Sequence, residues 1–257
     1  GFFYDLIRFP NGSVSRLRLR SIVGLIPLFA VEVMDSRLWD QLPKLSTHMR
    51  AFFAERPDLA LLTSDWTKTN TGNKKLFSML RGYRMKSLLR RMLDENEFLS
   101  PYGIRSLSKS YANQPFEYWL DGQSLSLRYN PAESDSWLFG GNSNWRGPIW
   151  MPINYLIIES LYRYHEYYTD DFKIEYPTGS GQFFSIKQVA DSLAGRLKGL
   201  FLRNNNGIRP VLGENSKLQQ NSQFNGYLPY FEYFDGNTGK GLGASHQTGW
   251  TGLVATL

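Results

Sequence analysis

PIWMPINYLIIESLYRYHEYY, residues 148–168, decides the fold class. Its first half is apolar almost all round, interrupted by Pro152, Asn154 and Glu159. A helix with this pattern is buried on most sides. Residues 21–35 (SIVGLIPLFAVEVMD) read the same way, and residues 248–257 open like a third such helix. Between them lie helices with one apolar stripe. Residues 44–55 are mixed. Residues 74–94 place Leu76, Phe77, Leu80, Tyr83, Leu88 and Met92 near one face, and residues 185–202 carry Ile186, Val189, Ala190, Leu193, Leu197, Leu200 and Phe201.

Greasy helices alternating with amphipathic ones are what a two-layer helical barrel requires, with the greasy set as its inner ring. The expectation is therefore an all-α fold, the C-terminal portion of an (α/α)6 barrel spanning residues 1–257 as one partial domain. About three inner helices are visible, half to two-thirds of a ring. An irregular helical domain is the competing reading. Two long connections, 98–147 and 204–247, are rich in Gly, Asn, Ser and aromatics, which marks functional loops. Within the first, residues 114–130 alternate around Asp121-Gly122, a β-hairpin signal.

Composition narrows the chemistry. The 257 residues contain no cysteine, which excludes disulfides and thiolate metal sites and suits a reducing, cytoplasmic compartment. Three histidines (His48, His165, His246) do not make a multi-histidine metal centre. The net charge of +6 comes partly from Arg16, Arg18 and Arg20 and from Arg81, Arg84, Lys86, Arg90 and Arg91. These are expected on solvated faces, with Asp94, Glu95 and Glu97 as surface charges beside them, and nucleic acid is not the expected partner. Residues 22–34 are too short to span a bilayer, so no membrane span is expected. Both termini read as cut. Aromatics make up 15% of the chain, enough to line a carbohydrate cleft, where flat rings pack on the C–H face of a pyranose.

Three motifs precede greasy helices. Asn144–Trp150 (NWRGPIW) puts Pro148 at a first helical position and Trp145 and Arg146 at the helix start. Ser245–Thr251 (SHQTGWT) carries His246 and Trp250, with Thr248 or Ser245 as a cap. The third motif ends at Ser21. In an inner ring, alternate helix N-termini share one end, so these motifs are expected at one mouth. Glycosidic cleavage uses two carboxyl groups. Glu232 stands in Tyr230–Gly236 (YFEYFDG), an acid among four aromatics. It is the leading catalytic candidate, against a structural acid bonded to a backbone N–H or an arginine. Glu133 and Asp135 are candidates for a substrate hydroxyl or for ion pairs. Tyr102 and Arg105, in Ser100–Ser108 (SPYGIRSLS), suit a polar cleft wall or a loop-bonding role.

Taken together, NWRGPIW, SPYGIRSLS, FEYFDG and SHQTGWTG resemble the C-terminal catalytic region of glycoside hydrolase family 63, over essentially the whole chain. The similarity extends to the mannosylglycerate and glucosylglycerate hydrolases. It implies an inverting hydrolase of α-linked glucose or related α-glycosides. The substrate would be an α-linked oligosaccharide or a glycosyl-glycerate, and no metal or organic cofactor is implied. Glu232 matches the general base. Trp145, Trp250 and Tyr102 would shape sugar subsites. Arg146 and Arg105 would bind hydroxyls or orient the acids, while Asp135 and His246, read from their own loops, are candidates for a hydroxyl-binding or a structural role. No counterpart of the family's acid motif is found, so the acid is expected upstream of Gly1. A non-catalytic carbohydrate-binding module is the alternative.

Overall fold

The computed structural model describes residues 1–136, 138, 147–221, 223 and 226–257. It is helix-rich, with small two-stranded antiparallel sheets. Strands β1 (Asp5–Arg8) and β2 (Val14–Leu17) form a hairpin, followed by a 3-10 helix, Ile22–Phe29. Strand β3 (Val31–Asp35) leads into helices α1 (Ser36–Asp40), α2 (Pro43–Glu55) and α3 (Pro57–Ala60). Strand β4 (Lys74–Ser78) returns to β3, and α4 (Gly82–Met92) follows. Short strands β5 (Leu99–Ser100) and β6 (Gly103–Ile104) precede the β7 (Phe116–Leu120) and β8 (Gln123–Leu127) hairpin. Then come α5 (Met151–Tyr168), β9 (Lys173–Glu175), β10 (Phe183–Ser185), α6 (Ile186–Gly199) and α7 (Ser216–Gln220). Strands β11 (Tyr233–Phe234) and β12 (Gly241–Leu242), helix α8 (Thr248–Thr251) and a 3-10 turn, Gly252–Thr256, end the chain.

The expected helices α5 and α6 form and pack against each other. Ser185 starts α6 with a reciprocal capping box: Gln188 Oε1 accepts the Ser185 N–H at 2.9 Å while Ser185 Oγ accepts the Gln188 N–H. Every residue of the expected α6 stripe is buried. Helix α5 begins at Met151, with Pro152 in its first turn and Trp150 at the N-cap, three residues later than Pro148 would have started it. It buries Asn154, Ile157, Ile158, Leu161 and Tyr164, but Leu156 faces solvent. The predicted hairpin is β7–β8, with Asp121 and Gly122 both at positive φ in the turn.

Three expectations are corrected. Residues 21–35 are not one helix. Pro27 sits in a 3-10 segment, and Val31–Asp35 pairs in register with β4, Val33 opposite Leu76. Residues 74–94 likewise split into a strand and α4, whose buried face is Met85, Leu88, Leu89 and Met92, with Tyr83 exposed. An apolar run satisfies either period, and here the cross-strand partner decides. The helix-rich fold is compatible with the expected all-α class; among the described residues six small two-stranded sheets, the β7–β8 hairpin included, accompany the helices. Glu97, expected at the surface, is 8% exposed and bonds Arg91 at 2.6 Å and Arg20 at 2.9 Å.

One large core joins the 22–29 segment, α4, α5 and α6. A smaller one, built on Leu17, Leu19, Leu107, Tyr111, Leu127 and Tyr129, sits beneath the two longer hairpins. Among the described residues no helix is long and apolar enough to cross a membrane.

Candidate active site

Short backbone pairings stitch the sequence motifs side by side. Ser21 bridges Leu107, and the Ile22 N–H donates to the Ser106 carbonyl at 2.8 Å. Arg105 bridges Ile149. Ile149 in turn bridges Phe234, its N–H donating to Phe234 at 2.8 Å and its carbonyl accepting from Phe234 at 3.0 Å. On the far side the Glu232 N–H donates to Ala244 at 2.9 Å, and the Gln247 N–H donates to Tyr230 at 2.7 Å. The starts of the 22–29 segment, α5 and α8 thereby lie along one continuous seam. The N-caps of these three elements, Ser21, Trp150 and Gln247, make no side-chain capping bond.

Two glycines permit the close approach. Gly147 has φ +83°, and a Cβ there would stand 1.5 Å from the Asn130 carbonyl oxygen. A Cβ on Gly236 would meet the Tyr129 hydroxyl at 2.6 Å and the Gly147 carbonyl at 2.8 Å. Only bare backbone fits at either place.

Glu232 is half-buried, and its Oε2 accepts the Ala244 N–H at 3.2 Å. A buried threonine, Thr251, ties α8 to the same segment by donating its hydroxyl to the Phe231 carbonyl. Tyr233, the next residue, is buried and donates its hydroxyl to Glu133 at 3.2 Å. Its ring lies 4.8 Å from that of Trp150, which meets Trp250 edge-on at 5.5 Å. This aromatic wall ends at Trp250, 41% exposed.

The remaining candidates fall into different surroundings. Arg105 is 3% exposed. Its Nε donates to the Tyr129 hydroxyl at 3.1 Å, and the guanidinium also donates to the Leu99 carbonyl. The Tyr129 hydroxyl in turn donates to Asn237 Oδ1 at 3.1 Å. Burial pushes the Tyr129 hydroxyl pKa up, against the opposing charge of Arg105. Tyr102 is half-buried on the β5–β6 turn, against Gly239. His246 is exposed and lines a cleft of about 440 Å³ with Phe231, Tyr227 and Leu218. Asp135 is exposed, with no hydrogen bond or ion pair among the described residues. Trp145 and Arg146 lie outside the described residues. Among the described residues no group of three or more His, Asp or Glu could hold a metal ion.

Asn154 was not among the expected site residues. Its Oδ1 accepts the Ile104 N–H at 2.7 Å, and its Nδ2 donates to the carbonyls of Ile104 and Trp150, each at 3.0 Å. It locks the SPYGIRSLS segment onto α5. A lone amide in an otherwise greasy helix was the signal, since a buried polar group needs partners. Gly243 is a second omission. Its φ is +69°, and a Cβ there would lie 2.7 Å from Glu232 Oε2.

Residues 75–251 match the mannosylglycerate hydrolase MGH1-like glycoside hydrolase domain. The chain belongs to this glycoside hydrolase family. Membership covers Glu232, His246, Trp250, Tyr102, Arg105 and Asp135, and leaves β3 and α1–α3 outside the match. Over an alignment of 257 positions the chain is 46% identical to the uncharacterized protein YMR196W of Saccharomyces cerevisiae, covering 99% of this chain and 24% of that protein. A probable mannosyl-oligosaccharide glucosidase of Schizosaccharomyces pombe is 31% identical over 177 residues, 68% of this chain and 15% of its own length. The mannosyl-oligosaccharide glucosidase of Saccharomyces cerevisiae is 28% identical over 175 residues, again 68% of this chain and 15% of the enzyme. The chain thus spans a quarter or less of the length of these relatives.

Proposed function

We propose that this chain is part of the catalytic domain of a glycoside hydrolase that cleaves α-linked glucose or a related α-glycoside with inversion. The observation that carries the proposal is the setting of Glu232. It is a half-buried carboxylate on the seam where the family's motifs meet: Oε2 accepts the Ala244 N–H, the bond a structural acid would also make, while Oε1 has no hydrogen bond among the described residues and is the oxygen this reading gives to water. In this reading Glu232 is the general base. It takes a proton from water as the water oxygen bonds to the anomeric carbon. The bond from that carbon to the leaving oxygen breaks, and a second carboxyl group protonates that oxygen. Inversion sets the two carboxyls roughly 6.5–9.5 Å apart to admit the water. The proposal assigns the acid to chain outside these 257 residues, where the rest of the (α/α)6 barrel would also lie.

Trp250 offers an exposed ring at the end of the aromatic wall and would stack on a sugar face. His246 and Tyr102 would complete the subsites. Arg105, committed to Tyr129 and Leu99, would act by holding the wall rather than by touching sugar. An α-linked oligosaccharide end or a glycosyl-glycerate fits this scheme.

The test is Glu232→Gln in the full-length protein, assayed on α-glucosyl oligosaccharides and on mannosylglycerate and glucosylglycerate. Expected is a fall in kcat of roughly 100- to 10,000-fold with binding retained. Early product should be the β-anomer by NMR. Turnover equal to that of the unmodified protein would remove Glu232 from the mechanism, and α-anomeric product would exclude inversion. A protein that binds these sugars but turns none over would be a binding module.

A further inference from the structure

At the other end of α5 from the Glu232 seam, a second cleft of about 550 Å³ opens between α1–α3 and β4. Outside its lining, Lys74, next in sequence to the lining residue Lys75, pairs with Glu166 near the end of α5, and Asn70 donates to the Tyr167 carbonyl. Sixteen residues of helix separate Trp150 from Glu166, about 24 Å at the usual rise. The two clefts are therefore distinct. Most of this one is built from residues before Lys75, outside the family match.

Its walls are aromatic and its charge is positive. Trp39 and Trp66 meet at 5.5 Å, and Phe53 of α2 stacks on Trp66 at 6.2 Å. Three cations line it, Arg50, Lys75 and Arg81, against one carboxylate, Asp65. Asp65 is already held by the Thr67 hydroxyl at 2.6 Å and by Lys68 at 3.2 Å. Lys75 is buried, and its ammonium donates to the carbonyls of Trp66 and Thr67 at 3.4 and 3.3 Å. Arg81 donates to the carbonyls of Thr63 and Ala60 at 2.8 and 3.0 Å. Among the described residues none of the three cations forms an ion pair, and Arg50 makes no hydrogen bond. An ammonium has three donors and a guanidinium five, so both buried-side cations keep donors in reserve. Cations taken out of water are ordinarily matched by a carboxylate or phosphate.

We propose that this cleft is a non-catalytic binding site for a sugar phosphate. The phosphate dianion answers Arg50, Lys75 and Arg81, and the pyranose ring packs on Phe53, with the buried rings of Trp39 and Trp66 backing it. The volume suits a ligand of monosaccharide size.

The probe is glucose 6-phosphate, titrated calorimetrically into the full-length protein, with inorganic phosphate and glucose run separately. Saturable binding is expected, weakened about tenfold or more by Arg50→Gln and unaffected by Glu232→Gln. Arg50 is exposed and unpartnered, so this variant should keep the parent's circular dichroism and melting temperature. Absence of saturable heat overturns the proposal. So does an unchanged Kd in Arg50→Gln, or binding that Glu232→Gln abolishes. Inorganic phosphate binding as tightly as glucose 6-phosphate overturns the assignment of a sugar ring.

Discussion

Glu232 and Ala244 hold each other twice: the Ala244 N–H donates to Glu232 Oε2 at 3.2 Å, and the Glu232 N–H donates to the Ala244 carbonyl at 2.9 Å. The turn that allows this passes through Gly243 at φ +69°. Gly243→Ala would strain the backbone and drive the carboxylate from its seat, since the new Cβ falls 2.7 Å from Oε2. Kinetics of the full-length protein should show kcat lowered on the order of a hundredfold with KM little changed, because misplacing a reacting group costs mainly orientation. Unfolding should report a loss of about 1 kcal/mol. Parental kcat in a folded variant would show that this turn does not aim the carboxylate.

Asn154 offers a test free of any functional assumption. Its three bonds reach Ile104 and Trp150 in a position 1% exposed. Asn154→Leu keeps the volume but orphans the Ile104 N–H, whose desolvation alone costs about 1–3 kcal/mol. Urea melts should show a destabilisation of about 3 kcal/mol. A change below about 1 kcal/mol would mean the segment is held by something else.

Glu97 and Glu95 stand two residues apart and should behave oppositely. Glu97 is enclosed by Arg20, Arg91 and the Ser108 hydroxyl, whereas Glu95 is exposed. Burial lowers the Arg20 pKa, but the bond and charge of Glu97 outweigh it and the net shift is upward. Glu97→Gln leaves two partly buried guanidiniums without their anion and should cost about 3 kcal/mol. Glu95→Gln should stay within about 0.5 kcal/mol. Equal melting temperatures for the two variants would contradict the assignment.

Asp35 caps α1 and is gripped by Arg37 through both side chain and backbone N–H. The Arg37 side-chain bond, then its N–H, bring the carboxyl down from 3.8 to about 2. A depressed acid stabilises the folded state above its ordinary pKa, and that contribution fades as pH falls through the folded value. The cap should therefore persist at pH 4 and loosen near pH 2. NMR titration of the Asp35 carboxyl should give a midpoint of about 2, rising toward 3.8 in Arg37→Gln. A midpoint near 3.8 in the parent would show that the cap is not formed in solution.

What the sequence determined by itself was whatever local periodicity and turn chemistry control. Helix α6 was legible because the apolar residues from Ile186 to Phe201 recur at helical spacing. The β7–β8 hairpin was legible because Asp121-Gly122 accepts positive φ. The motif residues were legible as chemistry, an acid among aromatics and an arginine in a glycine loop. Val31–Asp35 and Lys74–Ser78 were not, because each became a strand only by pairing with the other across forty residues. The surroundings of Glu97, and the commitment of Arg105 to Tyr129, likewise depended on partners remote in sequence. The seam joining Arg105, Ile149, Phe234 and Ala244 arises the same way. Local preferences fix how a segment bends, but burial and backbone pairing depend on which distant segment arrives beside it, and only the tertiary fold decides that.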